Sequence, residues 1–203
     1  MIDPQDGSFS DSLAGEEARE NVGISTRIIA LMGELVEILL ISGVLFLGVN
    51  VITARVRVES ISMQPTLHEG QFIVVNKLAY RWSEPDRGEI IVFHFPLNPE
   101  KRYIKRIIGL PGDRIEVRED HVVYINGIAT DEPYLAAAPR YQGSWVVGLD
   151  QVFVLGDNRN NSNDSHSWGM LDQDAIVGKA VLIYWPIQEF GLAPHHDLLG
   201  AED

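Results

Sequence analysis

From Ile38 to Ala54 the chain reads ILLISGVLFLGVNVITA, 17 residues without a formal charge. Such a run cannot sit on the surface of a water-soluble body, so it limits the fold before any other feature. As a helix it reaches roughly 25 Å, slightly short of a bilayer core of about 30 Å. Extending it back to Ile28 gives ample length but takes in Glu34 and Glu37. A carboxylate is costly at mid-membrane and cheap near an interface. The sequence therefore predicts a transmembrane anchor over residues 28–54, with both glutamates at its edge. A cleaved signal peptide would normally carry a basic start before its apolar stretch, and here an acidic one precedes it. A buried core helix would show a polar stripe, and this run shows none. Charge does not orient the anchor, because Arg19 and Arg27 flank one side and Arg55 and Arg57 the other.

Residues 1–22 are polar, acidic and without helical or strand period, which predicts a disordered tail. Over all 203 residues there are 16 Lys and Arg against 29 Asp and Glu, a net charge of -13. That balance repels polyphosphate and excludes nucleic acid as the expected partner. The absence of cysteine removes disulfides, thiolate metal sites and a cysteine nucleophile together. The six histidines lack metal-ligand spacing, and His195 and His196 are adjacent, so no metal site is expected. No glycine-rich phosphate loop opens a helix, so no nucleotide cofactor is expected either.

After Arg55 the pattern changes to short alternating runs. Phe72–Val75, Glu89–Phe95, Tyr103–Ile108, Arg114–Val117, Val122–Ile125, Gln151–Leu155 and Val177–Trp185 are rich in Val, Ile and aromatics. Turn signals separate them: Asn126-Gly127 reads as a hairpin, and Leu110-Pro111-Gly112-Asp113 and Gly156-Asp157-Asn158 as tight turns. The body over residues 55–190 is thus expected to be mainly β, an antiparallel barrel-like core with a small insert around 114–150. Residues 191–203 are expected to form a C-terminal tail. Trp82, Trp145, Trp168 and Trp185 suit either interfacial anchoring or buried packing.

Three stretches invite chemistry. The first is Glu59-Ser60-Ile61-Ser62-Met63-Gln64-Pro65. Pro65 biases Gln64 away from helix, so a fixed, non-helical segment with two hydroxyls two residues apart is expected. It suits a held nucleophile, and equally a serine-rich turn that caps backbone groups. The second is Tyr103-Ile104-Lys105-Arg106-Ile107-Ile108. On a strand Lys105 and Arg106 face opposite ways, so one of them must point where apolar residues point. Arginine keeps its charge anywhere, whereas a desolvated lysine can lose its proton. Lowering a lysine from about 10.4 to about 8 takes roughly 3 kcal/mol; the alternative is a lysine that snorkels to water. The third is Gly156-Asp157-Asn158-Arg159-Asn160-Asn161-Ser162-Asn163-Asp164-Ser165-His166, a polar loop after an apolar strand, readable as a solvated turn or as a holder of catalytic groups.

Together these stretches resemble type I signal peptidases, the membrane-anchored serine proteases that remove signal peptides from exported proteins. The resemblance runs through Ser60-Ile61-Ser62-Met63-Gln64-Pro65-Thr66-Leu67, Gly88–Phe93, Tyr103–Asp113 and Gly156–Ser165, in that order behind an apolar segment. It implies Ser62 as nucleophile and Lys105 as general base, a dyad without histidine. It implies Ser60 and the Ser62 backbone N–H as an oxyanion hole, and Ser162 as the group orienting Lys105. Asp157, Arg159 and Asp164 would brace the loop, and Met63 would help to wall the substrate pocket. Asn160 and His166 stand where the family often has Asp and Arg. The implied partners are preproteins with small residues before the cut and the lipid bilayer. The implied state is a monomer without cofactor, N-terminus cytoplasmic and catalytic body outside. A self-cleaving Ser–Lys repressor peptidase would need a DNA-binding module where this chain has its apolar segment. An inactive tethered β-barrel used for binding would have no need of Ser62 and Lys105.

Overall fold

A computed structural model describes residues 8–199, with side chains at Arg27 and from Leu31 onward. Helix α1 spans Ser8–Ile52. It starts inside the stretch read from sequence as a disordered tail, whose first seven residues lie outside the described ones. The physical reason is that no proline follows Pro4 before Pro65, and Leu13–Glu20 is rich in strong helix formers. Within α1, Leu31–Ile52 is long and apolar enough to cross a membrane. Its 22 residues rise about 33 Å. The helix gives way to strand β1 (Thr53–Arg57) two residues earlier than the apolar run suggested.

The body that follows consists of antiparallel strands. After β1 come β2 (Phe72–Asn76), β3 (Ile90–Phe95), β4 (Asn98–Gly109), β5 (Arg114–Val117), β6 (Val123–Ile125), β7 (Ile128–Ala129) and β8 (Gly143–Val146). β9 (Gln151–Leu155), the one-turn helix α2 (Ser165–Trp168), β10 (Leu171–Asp172), β11 (Ile176–Trp185) and β12 (Gly191–Leu192) complete it. The main sheet runs β1-β2-β11-β3-β4-β9-β10, with β12 on β11. A smaller sheet, β7-β6-β5-β8, is built wholly from Arg114–Val146. All seven expected strands are present. The strands without a sequence signal are β1, hidden behind the apolar run, and the short β7, β8, β10 and β12.

Strand β3 explains how the sheet holds its core. Ile90 and Val92 point to a cluster with Val58, Met63, Leu67, Ile73 and Val75. Ile91 and Phe93 point the other way, to Ile107, Val152, Val154 and Leu171. A strand buried on both faces must be apolar throughout, and each buried Ile or Val contributes about 1.5–3 kcal/mol. Register shifts in β11 against β2 and β3, and in β4 against β3 and β9, bend the sheet. A third cluster joins β9 to the small sheet through Phe153, Leu155, Ile115, Val123 and Ile125.

The segment after β11 is not a tail. Strand β12 pairs with Leu182 and Ile183. Beyond it Ala193 fills a gap in the β3 cluster and Leu198 one in the small-sheet cluster. These two apolar side chains help to fasten it down; residues 200–203 lie outside the described ones.

Candidate active site

Ser62 sits in a single 3₁₀ turn, Ile61–Met63, and not in the non-helical segment expected from Pro65. Pro65 does hold Gln64 extended, at φ -67 and ψ 143, which ends the turn after Met63. Met63 and Leu67 are sunk in the β3 cluster and fix the turn from below. Met63 is therefore core and not a pocket wall, a correction to the sequence reading: its long apolar side chain finds more contact beneath the turn than above it. Ile61 is left exposed beside Ser62. Ser60 is extended at φ -136 and ψ 157, and its hydroxyl lies 3.0 Å from Ser62 Oγ.

Lys105 reaches the same place from β4, opposite Ile91. It is 3% exposed. Its Nζ donates to Ser62 Oγ at 2.7 Å and to the Ile104 carbonyl at 2.9 Å, and lies 5.3 Å from the Tyr103 ring centre. Burial pulls its pKa from 10.5 down to about 8, against the opposing pull of Asp164 and Asp157. Arg106 is buried too, on the opposite face of β4, so both members of the pair find apolar surroundings. Its guanidinium grips Asp157 through Nε at 3.0 Å and Nη2 at 2.7 Å.

The loop after β9 closes over the serine turn. The Asn158 backbone N–H donates to the Ser62 carbonyl at 3.0 Å, and Asn158 Nδ2 donates to the Ile61 carbonyl at 3.2 Å. A Cβ at Gly156 would lie 2.4 Å from the Ser62 carbonyl oxygen and 2.2 Å from Ser162 Oγ, so only glycine permits this approach. Asp164 is fully buried and accepts from Gly156 N at 2.9 Å. Arg159 does not pair with either aspartate. It takes Glu132 from the segment before β8, at 2.7 Å through Nη1, and the Gly156 carbonyl. Ser162 Oγ is buried beside Gly156 with no hydrogen-bond partner, so the bond to Lys105 implied by the resemblance is not among those formed.

Asn160 is held by Arg140 N and the Ala138 carbonyl, and His166 Nδ1 lies 2.6 Å from Asp164 Oδ1, its ring stacked on Tyr141 at 4.0 Å. Asn158, Glu132 and Gly156 were not singled out from sequence for these contacts. Asn158 follows Asp157 in the polar loop, which was a usable signal; nothing local marks Glu132. Among the described residues no group of three His, Asp or Glu could hold a metal ion.

A groove of about 740 Å³ opens over the pair. Val56, Ile61, Tyr103 and Ile104 line it with Ser60, Ser62 and Lys105. Arg55, Arg57, Lys101 and Arg102 line it too, together with Glu59 and Glu100.

The residues gathered here fit a peptide-bond hydrolase, and comparison with known proteins says which kind. The sequence model described as "Signal peptidase, peptidase S26" matches residues 28–185. The chain belongs to that family. "Probable signal peptidase I-2" of Synechocystis sp. (strain ATCC 27184 / PCC 6803 / Kazusa) is 43% identical over 157 residues, 73% of this chain and 71% of that one. "Signal peptidase I" of Leptolyngbya laminosa is 42% identical over 160 residues, 74% of this chain and 78% of that one. "Signal peptidase IB" of Staphylococcus aureus is 36% identical over 166 residues, 72% of this chain and 85% of that one. The protein is thus an enzyme, a hydrolase with signal peptidase I function.

Proposed function

We propose that this peptidase cuts with a Ser62–Lys105 dyad through an acyl-enzyme, that it is anchored by its apolar helix, and that it releases exported proteins from their signal peptides after an Ala-x-Ala type sequence. The observation that carries this reading is the 2.7 Å contact between a buried lysine amine and a serine hydroxyl that both line an open groove. With a pKa near 8, a fair share of the Lys105 amine is neutral at physiological pH and accepts the Ser62 proton. Ser62 Oγ then bonds to the scissile carbonyl carbon. Ser60 Oγ–H and the Ser62 N–H hold the resulting oxyanion. Lys105 returns the proton to the leaving amine, and the signal peptide stays esterified to Ser62. Water, deprotonated by Lys105, breaks the ester and regenerates the hydroxyl. Ser162, whose buried hydroxyl is idle, is assigned to the amine once it carries the proton. Asp157, Arg159 and Asp164 brace the loop through Arg106, Glu132 and Gly156.

The groove supports an extended substrate. Strand β1 is at the edge of the main sheet, and β4 pairs with β9 only from Arg106 onward. Two strand edges therefore flank the groove, and a peptide laid between them adds as a strand. In an extended chain the first and third residues before the cut point the same way, and we assign them to the side of the groove lined by Ile61, Ile104 and Val56. The helix Leu31–Ile52 is assigned to the bilayer, with its N-terminus cytoplasmic and the catalytic body outside, where signal peptides arrive in the same membrane. The enzyme is assigned as a monomer without metal or cofactor.

The test is cleavage of a model preprotein in vesicles. Ser62→Ala and Lys105→Arg are each expected to lose about 10³-fold or more in kcat, since a guanidinium does not give up its proton near neutral pH. Full activity in Lys105→Arg overturns the base assignment.

A further inference from the structure

We infer that the segment Gly191–Leu199 is a strap that positions the Ser62 turn from behind, and that a neutral His195 is its latch. The inference rests on the proposed dyad and adds a part that the dyad does not require.

The path is short and continuous. The Pro194 carbonyl accepts from Arg106 Nη1 at 3.0 Å, and the Gly88 carbonyl accepts from the same nitrogen at 2.7 Å. Gly88 itself has φ +78, and a Cβ there would lie 1.5 Å from the His196 carbonyl oxygen, so the strap occupies the space that this glycine leaves. The His196 ring stacks on Tyr134 at 4.8 Å, and Tyr134 lies under the Arg106 guanidinium at 4.1 Å. Strap, Gly88 and Tyr134 thus seal Arg106 completely from solvent. The sealed guanidinium grips Asp157, and the next residue, Asn158, holds the Ser62 and Ile61 carbonyls. If the strap lifts, water reaches the Arg106–Asp157 pair, its grip weakens in the higher dielectric, and Asn158 no longer has a fixed base.

His195 decides whether the strap stays down. Its Nδ1 accepts from the Ile90 backbone N–H on β3 at 3.1 Å. Its Nε2 then carries the ring proton and donates to the Ala180 carbonyl on β11 at 3.0 Å. One nitrogen must accept and the other must donate, which only the neutral ring can do. A second proton would set Nδ1–H against Ile90 N–H. Lys179 and Glu89, which pair with each other, and Arg106 act on the ring, and Asp86, Arg87, Asp197 and the neighbouring His196 line the same pocket. Burial first, then Lys179, lowers the His195 pKa, with Arg106 acting the same way and Glu89 and the Ala180 contact opposing. The latch therefore holds at neutral pH and releases in acid.

The test uses the full chain in detergent micelles with a preprotein substrate, beside a chain ending at Ala193, His195→Phe and His195→Gln. Glutamine offers one acceptor and one donor but does not titrate. The shortened chain and His195→Phe are expected to lose about tenfold or more in kcat with KM within about twofold, because the groove walls are untouched. His195→Gln is expected to keep most of the neutral-pH activity. In acid the wild type loses both a neutral Lys105 and the latch. Its log kcat/KM should therefore steepen from a slope of about one to about two, while His195→Gln stays near one. Hydrogen exchange of the wild type, corrected for intrinsic rates, is independent of variant folding. Residues 191–199 and 156–161 should lose protection together between about pH 8 and about pH 5. Wild-type kcat in a folded chain ending at Ala193, a slope near one throughout, or unchanged protection at the lower pH each overturns the inference. Cleavage retained by Ser62→Ala would defeat the dyad instead and leave the exchange result standing.

Discussion

Replacing Lys105 by Met should relieve a desolvation penalty that shrinks as pH rises. Methionine fills nearly the same volume and carries no charge. The wild-type lysine is 3% exposed, and its pKa falls from 10.5 to about 8 because burial disfavours the ammonium form. Below about pH 8 both folded and unfolded chains hold the proton, and the folded state bears the whole penalty. At 1.36 kcal/mol per pH unit the gap is worth about 3 kcal/mol. Between about 8 and 10.5 the unfolded chain keeps its proton while the folded one has released it. Wild-type stability therefore rises with pH in that window, since the unfolded state binds more protons. The penalty works out at about 3 kcal/mol at pH 7 and about 1 kcal/mol at pH 9.5. Losing the bonds to Ser62 and Ile104 costs the variant about 1–3 kcal/mol, but that cost does not depend on pH. The difference in unfolding free energy between variant and wild type should thus fall by about 2 kcal/mol from pH 7 to 9.5. Urea unfolding in micelles at several pH values, followed by tryptophan fluorescence, measures it. A difference that stays flat across that range refutes a strained, desolvated amine.

Asp157→Ala leaves Arg106 charged, buried and unpaired, and should cost about 3–5 kcal/mol in urea unfolding. Gly156→Ala drives a methyl group into Ser162 and the Ser62 carbonyl; kcat should fall about 10²-fold or more while the protein remains folded by circular dichroism. Gly88→Ala has both a positive φ and the His196 carbonyl in its way, so its melting temperature should drop by several degrees. Glu132→Gln should lower stability by about 3 kcal/mol by stranding Arg159, although Glu132 lies outside the four motif stretches.

Ile90–Phe95 shows why the body was readable: a strand buried on both faces can only be a run of apolar residues, and that run is local. Lys105 and Arg106 show how far local reasoning goes. Adjacent residues on a strand must face opposite ways, so one of them had to enter apolar surroundings. That both are buried depends on Asp157, 51 residues away, and no spacing rule connects them. Met63 shows the opposite error. Its place beside Ser62 suggested the pocket, but the 3₁₀ turn points it inward to Leu67 and Ile73. The strap was missed for the same reason as Glu132. A polar segment such as Pro194-His195-His196-Asp197 looks solvated until a buried arginine and two strands are found to bond its carbonyl and its ring. Helix α1 was read too short because acidic composition was taken for disorder, although glutamate and alanine are good helix formers.

The central claim is that burial beside Ser62 Oγ brings the Lys105 amine down to about 8, so that a minor but usable share of it is neutral near pH 7. The chain holds four lysines, Lys77, Lys101, Lys105 and Lys179, so its lysine side-chain NMR signals are few enough to assign with Lys105→Met. Titrating the labelled lysine Cε signals in micelles should give one midpoint near 8, absent in Lys105→Met. A Lys105 midpoint at the ordinary value of about 10.4 contradicts the claim.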